Sequence, residues 1–394
     1  MNLPQDILLI ATADWDSKPW TNKQHMAKSL AAHGFRVLYV ESLALRRPTS
    51  DRRDYRRIMR RVGRAVRGVR RVDANIWTMS PLVIPLHGNS AARLLNNLIL
   101  SALIKKSLKA VNFARFICWT YNPMTAFFLD YIKPASTVYH CVDDLSAVPG
   151  IDQGMLARAD VSLVKRADVV FVTNPILRDR WLELKGKNVH YLPNVADYEH
   201  FSKGKKGSPI RAEVAAIPTP RIGYVGTISD YKIDLDMVLQ VAQQRPDWHW
   251  VFIGEEREGQ RSDAMERLRR LANVHFLGYR EYAYLPEYLG SLDMLTLPMR
   301  INSYTISMFP MKFFEYLAAG RPVISTELPA LADYKAAYRT VRTPGEFIDA
   351  AENILRGDFP DPIYCEAIAR AHTWAWRTQE MLTFAEKKYL EGKT

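Results

Sequence analysis

Lys312 and Glu315 stand three residues apart in the stretch FPMKFFEYLAAGRPVIST, residues 309–326. On a helix that spacing puts them on one face, one turn apart. Pro310 suits a first helical turn. Lys312 would then lie where unpaired backbone N–H groups and the helix dipole already favour an anion. A lysine there adds a point charge for a diphosphate, and the Glu315 carboxylate could accept two adjacent ribose hydroxyls. The plain alternative is a solvated Lys–Glu pair, worth only about 0.2–0.5 kcal/mol. Phe313, Phe314, Tyr316 and Leu317 make this helix mostly buried. Buried charges require specific partners, which favours a ligand.

Three other groups could carry chemistry. In GYVGTISDYK, Gly223 and Gly226 close a strand and would let backbone N–H groups approach a phosphate, although glycine also ends strands for structural reasons. There is no G-x-G-x-x-G and no G-x-x-x-x-G-K-[ST], so neither a nicotinamide cofactor nor an NTPase is indicated. In VYHCVDDLSAVPG, Asp143 and Asp144 follow a strand's carboxyl end. Either could take a proton from an acceptor hydroxyl, or cap the next helix. In DWDSKPWTNKQH, residues 14–25, Trp20 could stack on a sugar ring. His25 is a second base candidate, though a lone histidine in a first helical turn is more often structural. No His, Asp or Glu cluster has metal-ligand spacing.

The elements that must position these residues repeat one pattern. ILLIATA (7–13) is a buried strand, TNKQ (21–24) has the form of a capping box opening a helix, and FRVLYVES (35–42) is the next strand. That is a βαβ unit of a parallel sheet. Further strands are expected at 116–121, 136–142, 168–174 and 189–193. The stretch 203–221, rich in Lys, Gly and Pro, reads as a linker. Alternation then restarts, with strands at 221–227, 248–254, 274–278, 294–298 and 322–326 and helices over 234–244 and 262–272. The expectation is an α/β chain of two doubly wound, Rossmann-like parallel-sheet domains facing a central cleft. Their bounds are 1–202 and 221–394, and the last helix is free to pack back on the first domain. Ligands in such sheets sit at the carboxyl ends of the strands.

The chain has 394 residues, enough for two cores, and a net charge of +12. Residues 46–71 hold 12 arginines against two aspartates, which is +10, and leave +2 for the rest. Tyr55, Ile58, Met59, Val62, Val66 and Val69 recur at helical spacing, with the arginines on the other face. A basic amphipathic helix is expected, with Arg56, Arg57, Arg60, Arg61, Arg64 and Arg67 turned to an anionic membrane surface. A helix packed on the domain with a solvated basic face is the alternative. Nucleic acid is disfavoured, since interleaved aromatics and a nucleic-acid fold motif are missing. The segment 94–111 either extends the apolar docking surface or forms a core helix. Three widely spaced cysteines offer no disulfide framework. The N-terminal apolar run lacks a basic flank and is too short to span a bilayer, so a cytoplasmic protein is expected.

PMKFFEYLAAGRPVIST, GYVGTISDYKIDLDMV, FLGYREYAYLPEYLGSLDMLTLPMRIN and VTNPIL with YLPNVADYEHF together resemble bacterial GT-B glycosyltransferases of surface polysaccharide synthesis. The nearest kinds are family 4-like sugar transferases and xanthan-type family 70 glucuronosyltransferases. The resemblance spans nearly the whole chain. It implies a nucleotide-sugar donor, UDP-linked, held by Met311, Lys312, Glu315, Gly226, Thr227, Tyr279 and Arg280. It implies a lipid-linked saccharide acceptor, no cofactor and no bound metal. The family 70 pattern, a tyrosine four residues before the catalytic aspartate, fits Tyr139 and Asp143. One departure stands out: where family 4 has an E-x7-E pair, Ser307 precedes Glu315, which leaves retaining against inverting chemistry open. Rival readings are an epimerase or phosphorylase of the same fold, or a non-catalytic membrane- or polysaccharide-binding protein.

Overall fold

The computed structural model describes residues 2–18, 20–43, 63–65, 68–84, 90–148, 151–185, 188–205, 210–256 and 262–392. The chain forms two compact units. One is Met1–Leu192 with Arg377–Thr394, and the other is Pro193–Trp376.

The first unit is built on an eight-stranded sheet in the order β3-β4-β2-β1-β5-β6-β7-β8. Its strands are β1 (Asp6–Ile10), β2 (Arg36–Val40), β3 (Arg70–Asp73), β4 (Ile76–Met79), β5 (Phe116–Thr120), β6 (Ser136–Cys141), β7 (Val169–Val172) and β8 (Val189–Tyr191). All neighbours are parallel except the β3–β4 pair at the edge. Strands β1, β5, β6 and β7 are buried along their whole length, as continuous apolar runs covered on both faces should be. The helix Asn22–Ala32 opens as its sequence predicts: the Thr21 N–H donates to Gln24 Oε1 at 3.1 Å. Its buried face meets the last helix, where Thr378 Oγ1 donates to Ser29 Oγ at 2.7 Å. Strand β1 lies between β2 and β5, so the direction of winding reverses beside it.

The expected basic helix over 46–71 requires correction. Residues 63–65 are helical, but Arg70–Asp73 is β3, paired antiparallel with β4. The edge strand needs only one half-buried side, so its arginines point into solvent and give no apolar alternation to read. Arg56, Arg57, Arg60, Arg61 and Arg67 lie outside the described residues.

The second unit carries a six-stranded, all-parallel sheet in the order β11-β10-β9-β12-β13-β14. These are β9 (Arg221–Val225), β10 (His249–Ile253), β11 (Val274–Gly278), β12 (Met294–Leu297), β13 (Val323–Thr326) and β14 (Arg339–Val341). Strand β9 sits between β10 and β12, so the switch point falls at its carboxyl end. The unit begins ten residues before the boundary expected at 202. Tyr198 and Phe201 are the physical reason: both are buried in its core. The expected linker is also part of this unit. Val214 and Ile217 join the same core, and Arg221 Nε donates to the Ile217 carbonyl at 2.7 Å.

Candidate functional site

The site in the second unit starts from the end of β9. The Val225 N–H donates to Tyr316 Oη at 2.9 Å, and Tyr316 is fully buried. This bond fixes the helix Lys312–Ala318 over the carboxyl end of β9. Phe313, Phe314 and Leu317 lock it from below, with Phe309 and Phe314 stacked at 5.2 Å between ring centroids. The helix starts two residues after Pro310, and Met311 takes the N-cap position. Replacing Tyr316 by Phe removes only the hydroxyl and strands a buried N–H. The expected cost is about 1–3 kcal/mol of unfolding free energy, checked by urea denaturation, with weaker nucleotide binding because the helix loses its anchor.

On this helix Lys312 Nζ bonds Glu315 Oε2 at 2.6 Å. The Glu315 side chain is 5% exposed and that of Lys312 is 23% exposed. The carboxylate is therefore an interior charge with a cation on it, unlike a solvated surface pair. Lys312 Nζ also lies 6.0 Å from the Phe201 ring centroid. An ammonium has three donors, so the bond to Glu315 leaves others for an anion. Beside the pair, burial first, and then the negative charges of Glu315 and Asp197, push the Tyr282 hydroxyl well above its ordinary range. His200 stacks on that ring at 4.3 Å and its Nε2 bonds the Tyr282 carbonyl at 2.8 Å. Ser307, which stands where a second glutamate would fall, is buried, and its Oγ donates back to the Ser303 carbonyl at 2.8 Å. It closes a turn.

The loops after β9 and β10 meet at two glycines. Gly226 N–H donates to the Ile253 carbonyl at 2.9 Å. A Cβ on Gly254, whose φ is +146°, would run into the Gly226 carbonyl oxygen. Only glycine fits that contact. Gly254→Ala is expected to lower the unfolding free energy by about 3 kcal/mol or more, the size of a severe core defect, as urea denaturation would show. Thr227 offers its carbonyl to Tyr224 Oη at 3.1 Å. Gly223 is a packing residue instead: in mid-strand, a Cβ there would strike the Leu292 side chain.

The loop after β12 is tied to the loop after β9. Arg300 N–H donates to the Lys232 carbonyl at 2.8 Å, and Asn302 Nδ2 to the Tyr231 carbonyl at 2.6 Å. Lys232 Nζ lies 5.0 Å from the Tyr231 ring and 5.5 Å from the Tyr304 ring. A second cation thus stands at the switch point. Sequence reasoning passed over it, although it closes the quoted GYVGTISDYK stretch. Arg280 is engaged elsewhere. Its guanidinium meets Glu213 and Tyr288 Oη, with Nε at 3.0 and 2.9 Å, and the Tyr279 carbonyl at 3.0 Å. Its neighbour Tyr279 lies just beyond β11.

In the first unit the two aspartates after β6 separate. Asp144 is buried, caps Ser146 N–H at 3.0 Å and meets Arg180 Nη1 at 2.6 Å. Burial pushes its carboxyl up, but Ser146 and the Arg180 guanidinium outweigh that and hold it below the usual range. It behaves as a cap and ion pair, which weakens its claim as a base. Asp143 is half-buried, and its carboxylate has no ion pair among the described residues. Tyr139 points into the core, where its hydroxyl bonds Asp160. Burial pushes the Asp160 carboxyl up to about 7. The folded state therefore holds a proton that the unfolded chain, with a carboxyl near 4, releases. Stability from this group is lost as pH rises from about 4 to 7. Asp160→Asn should accordingly gain thermal stability over the wild type progressively between those pH values and keep the gain at pH 8, as calorimetry across pH would show.

Trp20 lies in the loop after β1, and His25 in the first turn of the helix Asn22–Ala32 that follows it. Trp20 contacts Trp15 at 5.3 Å and His25 at 5.6 Å between ring centroids, and Trp15 contacts Tyr39 at 5.2 Å. Arg64 reaches this loop: it lies 3.4 Å from Asp16, 3.7 Å from Glu41 and 3.9 Å from Asp14. It faces three carboxylates of its own unit, which competes with the expected membrane contact.

Residues 219–357 match the model of the family described as glycosyl transferases group 1. The similarity to that family lies in this segment of the second unit. It covers β9 to the helix Pro344–Leu355, and so includes Lys232, Lys312 and Glu315. Among curated proteins the chain is similar to one of Bacillus subtilis named for teichuronic acid biosynthesis, the glycosyltransferase TuaH. The two are 30% identical over 230 residues, which is 56% of this chain and 57% of that one. The chain thus matches little more than half the length of that relative. Among solved structures it is similar to the sucrose-phosphate synthase of Thermosynechococcus elongatus, with TM-score 0.66, 17% identity and coverage of 99% and 97% of the two chains. It is also similar to Anabaena HepE in complex with UDP, with TM-score 0.68, 14% identity and coverage of 97% and 100%. The two parallel-sheet units have the GT-B fold.

Proposed function

We propose that the protein is a metal-independent glycosyltransferase that moves a sugar from a UDP-linked donor to a lipid-linked saccharide in surface polysaccharide synthesis. The observation that carries this is the Lys312–Glu315 pair, set by the Tyr316–Val225 bond at the switch point of the segment that matches the group 1 family. In this reading Lys312 and Lys232 neutralise the departing diphosphate, and Glu315 receives the ribose hydroxyls. Met311, Gly226 and Thr227 border the donor, with Tyr279 and Arg280 on the side of the base. Stabilising the leaving group as charge develops is the principal contribution. Asp143 takes the acceptor's proton, as in the family 70 type, and Trp20 and His25 contact the acceptor. The similarity to HepE, solved with UDP and with UDP-glucose, and to TuaH supports the donor and the polysaccharide setting.

The protein would work at the inner face of the cytoplasmic membrane, bound peripherally. Among the described residues no helix is long and apolar enough to cross a membrane. The test is a transfer assay with labelled UDP-sugars and an extracted bacterial lipid fraction. Label appearing in the lipid phase, and only when lipid is present, is expected. Turnover of donor without lipid would instead indicate an epimerase or phosphorylase.

A further inference from the structure

The helix Ser90–Ala110 divides its residues between two faces. Asn96, Leu100, Ile104 and Leu108 are buried against the first unit. Asn96 also holds the segment after β4, with Oδ1 accepting from the Ile84 N–H at 2.7 Å. The opposite face carries Leu94, Leu95 and Leu98, which are 55%, 47% and 48% exposed. Single exposed leucines are ordinary, but three on one helix face call for an explanation. Further along the same stripe come Lys105, Lys106 and Lys109, all exposed. The helix contains no Asp or Glu, and its charges are Arg93 and these three lysines.

We propose that this stripe is a docking surface for an anionic lipid bilayer, an inference that rests on the membrane part of the function proposed above. Charge complementarity selects the occupant. A second copy seated by a two-fold axis would bring two all-cationic helices together, which repel. An anionic bilayer accepts both halves of the stripe. The leucines enter the boundary between headgroups and acyl chains, and the lysine stems lie along it with their ammonium groups among the phosphates.

The experiment is flotation of the full chain with vesicles of phosphatidylethanolamine alone or mixed with phosphatidylglycerol. The wild type should float with the mixed vesicles and poorly with the neutral ones. The triple variant Leu94→Ser, Leu95→Ser, Leu98→Ser should partition about tenfold more weakly, with unchanged unfolding temperature and UDP affinity. Lys105→Gln, Lys106→Gln, Lys109→Gln should lose the preference for phosphatidylglycerol. Full flotation of the leucine variant overturns this surface and leaves the membrane reading to other elements. A wild type that stays at the bottom with both vesicles overturns both, while UDP binding still judges the transferase separately. A wild-type dimer that the leucine changes convert to monomer, without flotation, assigns the stripe to a second copy and overturns the proposal.

Discussion

Asp143→Asn should reduce sugar transfer by about 10²–10⁴-fold, the usual range for loss of a general base, and leave UDP affinity within about twofold. The amide keeps the size and one hydrogen-bonding oxygen but cannot take a proton. Asp144 provides the control. It is bonded to Ser146 and Arg180 in an ion pair, so Asp144→Asn should mainly lower stability and change transfer far less. Initial rates with saturating donor, together with calorimetric UDP binding, distinguish the two variants. A large loss at Asp144 with little at Asp143 would move the base to the buried position. Equal large losses with weakened UDP binding would point to disturbed folding of the loop after β6.

Lys312→Ala should weaken UDP binding at least tenfold, or about 1.4 kcal/mol. The change also leaves the Glu315 carboxylate, 5% exposed, without its cation. Breaking a buried pair costs about 3–5 kcal/mol, and the partial exposure of Lys312 reduces that. Stability must therefore be measured beside affinity. The double change Lys312→Ala, Glu315→Gln removes the stranded charge. It should recover much of the stability while binding UDP no better than the single variant. If the double variant recovers UDP affinity along with stability, the pair is a structural clamp and the diphosphate is held elsewhere, with Lys232 the next cation at that edge.

The repeating elements were legible because parallel strands covered on both faces leave continuous apolar runs, as in DILLI and VVFV. The Thr21–Gln24 start and the Lys312–Glu315 face were legible for a similar reason: both rest on spacing within one helical turn. What sequence could not show came from contacts distant along the chain. The β3–β4 hairpin hid in an arginine run whose side chains face solvent. Asp144 became a cap and ion pair because Arg180, 36 residues on, folds back on it. The start of the second unit at Pro193 depends on Tyr198 and Phe201 burying in a core built mostly after residue 214. Tyr316 looked like one more apolar residue of a greasy helix, and its hydroxyl bond to Val225 appears only in three dimensions. The helix 90–110, for which docking surface and core stood as alternatives, buries one face in the core and leaves three leucines exposed on the other.

The most direct measurement of the central claim is a thermal-unfolding panel with UDP-, GDP-, ADP- and dTDP-sugars, since a ligand that binds the folded state raises its melting temperature by mass action. The account predicts a saturable rise with at least one UDP-sugar, smaller shifts with the other nucleotides, and loss of the rise in Lys312→Ala. No shift with any nucleotide sugar, or an undiminished shift in that variant, would contradict it.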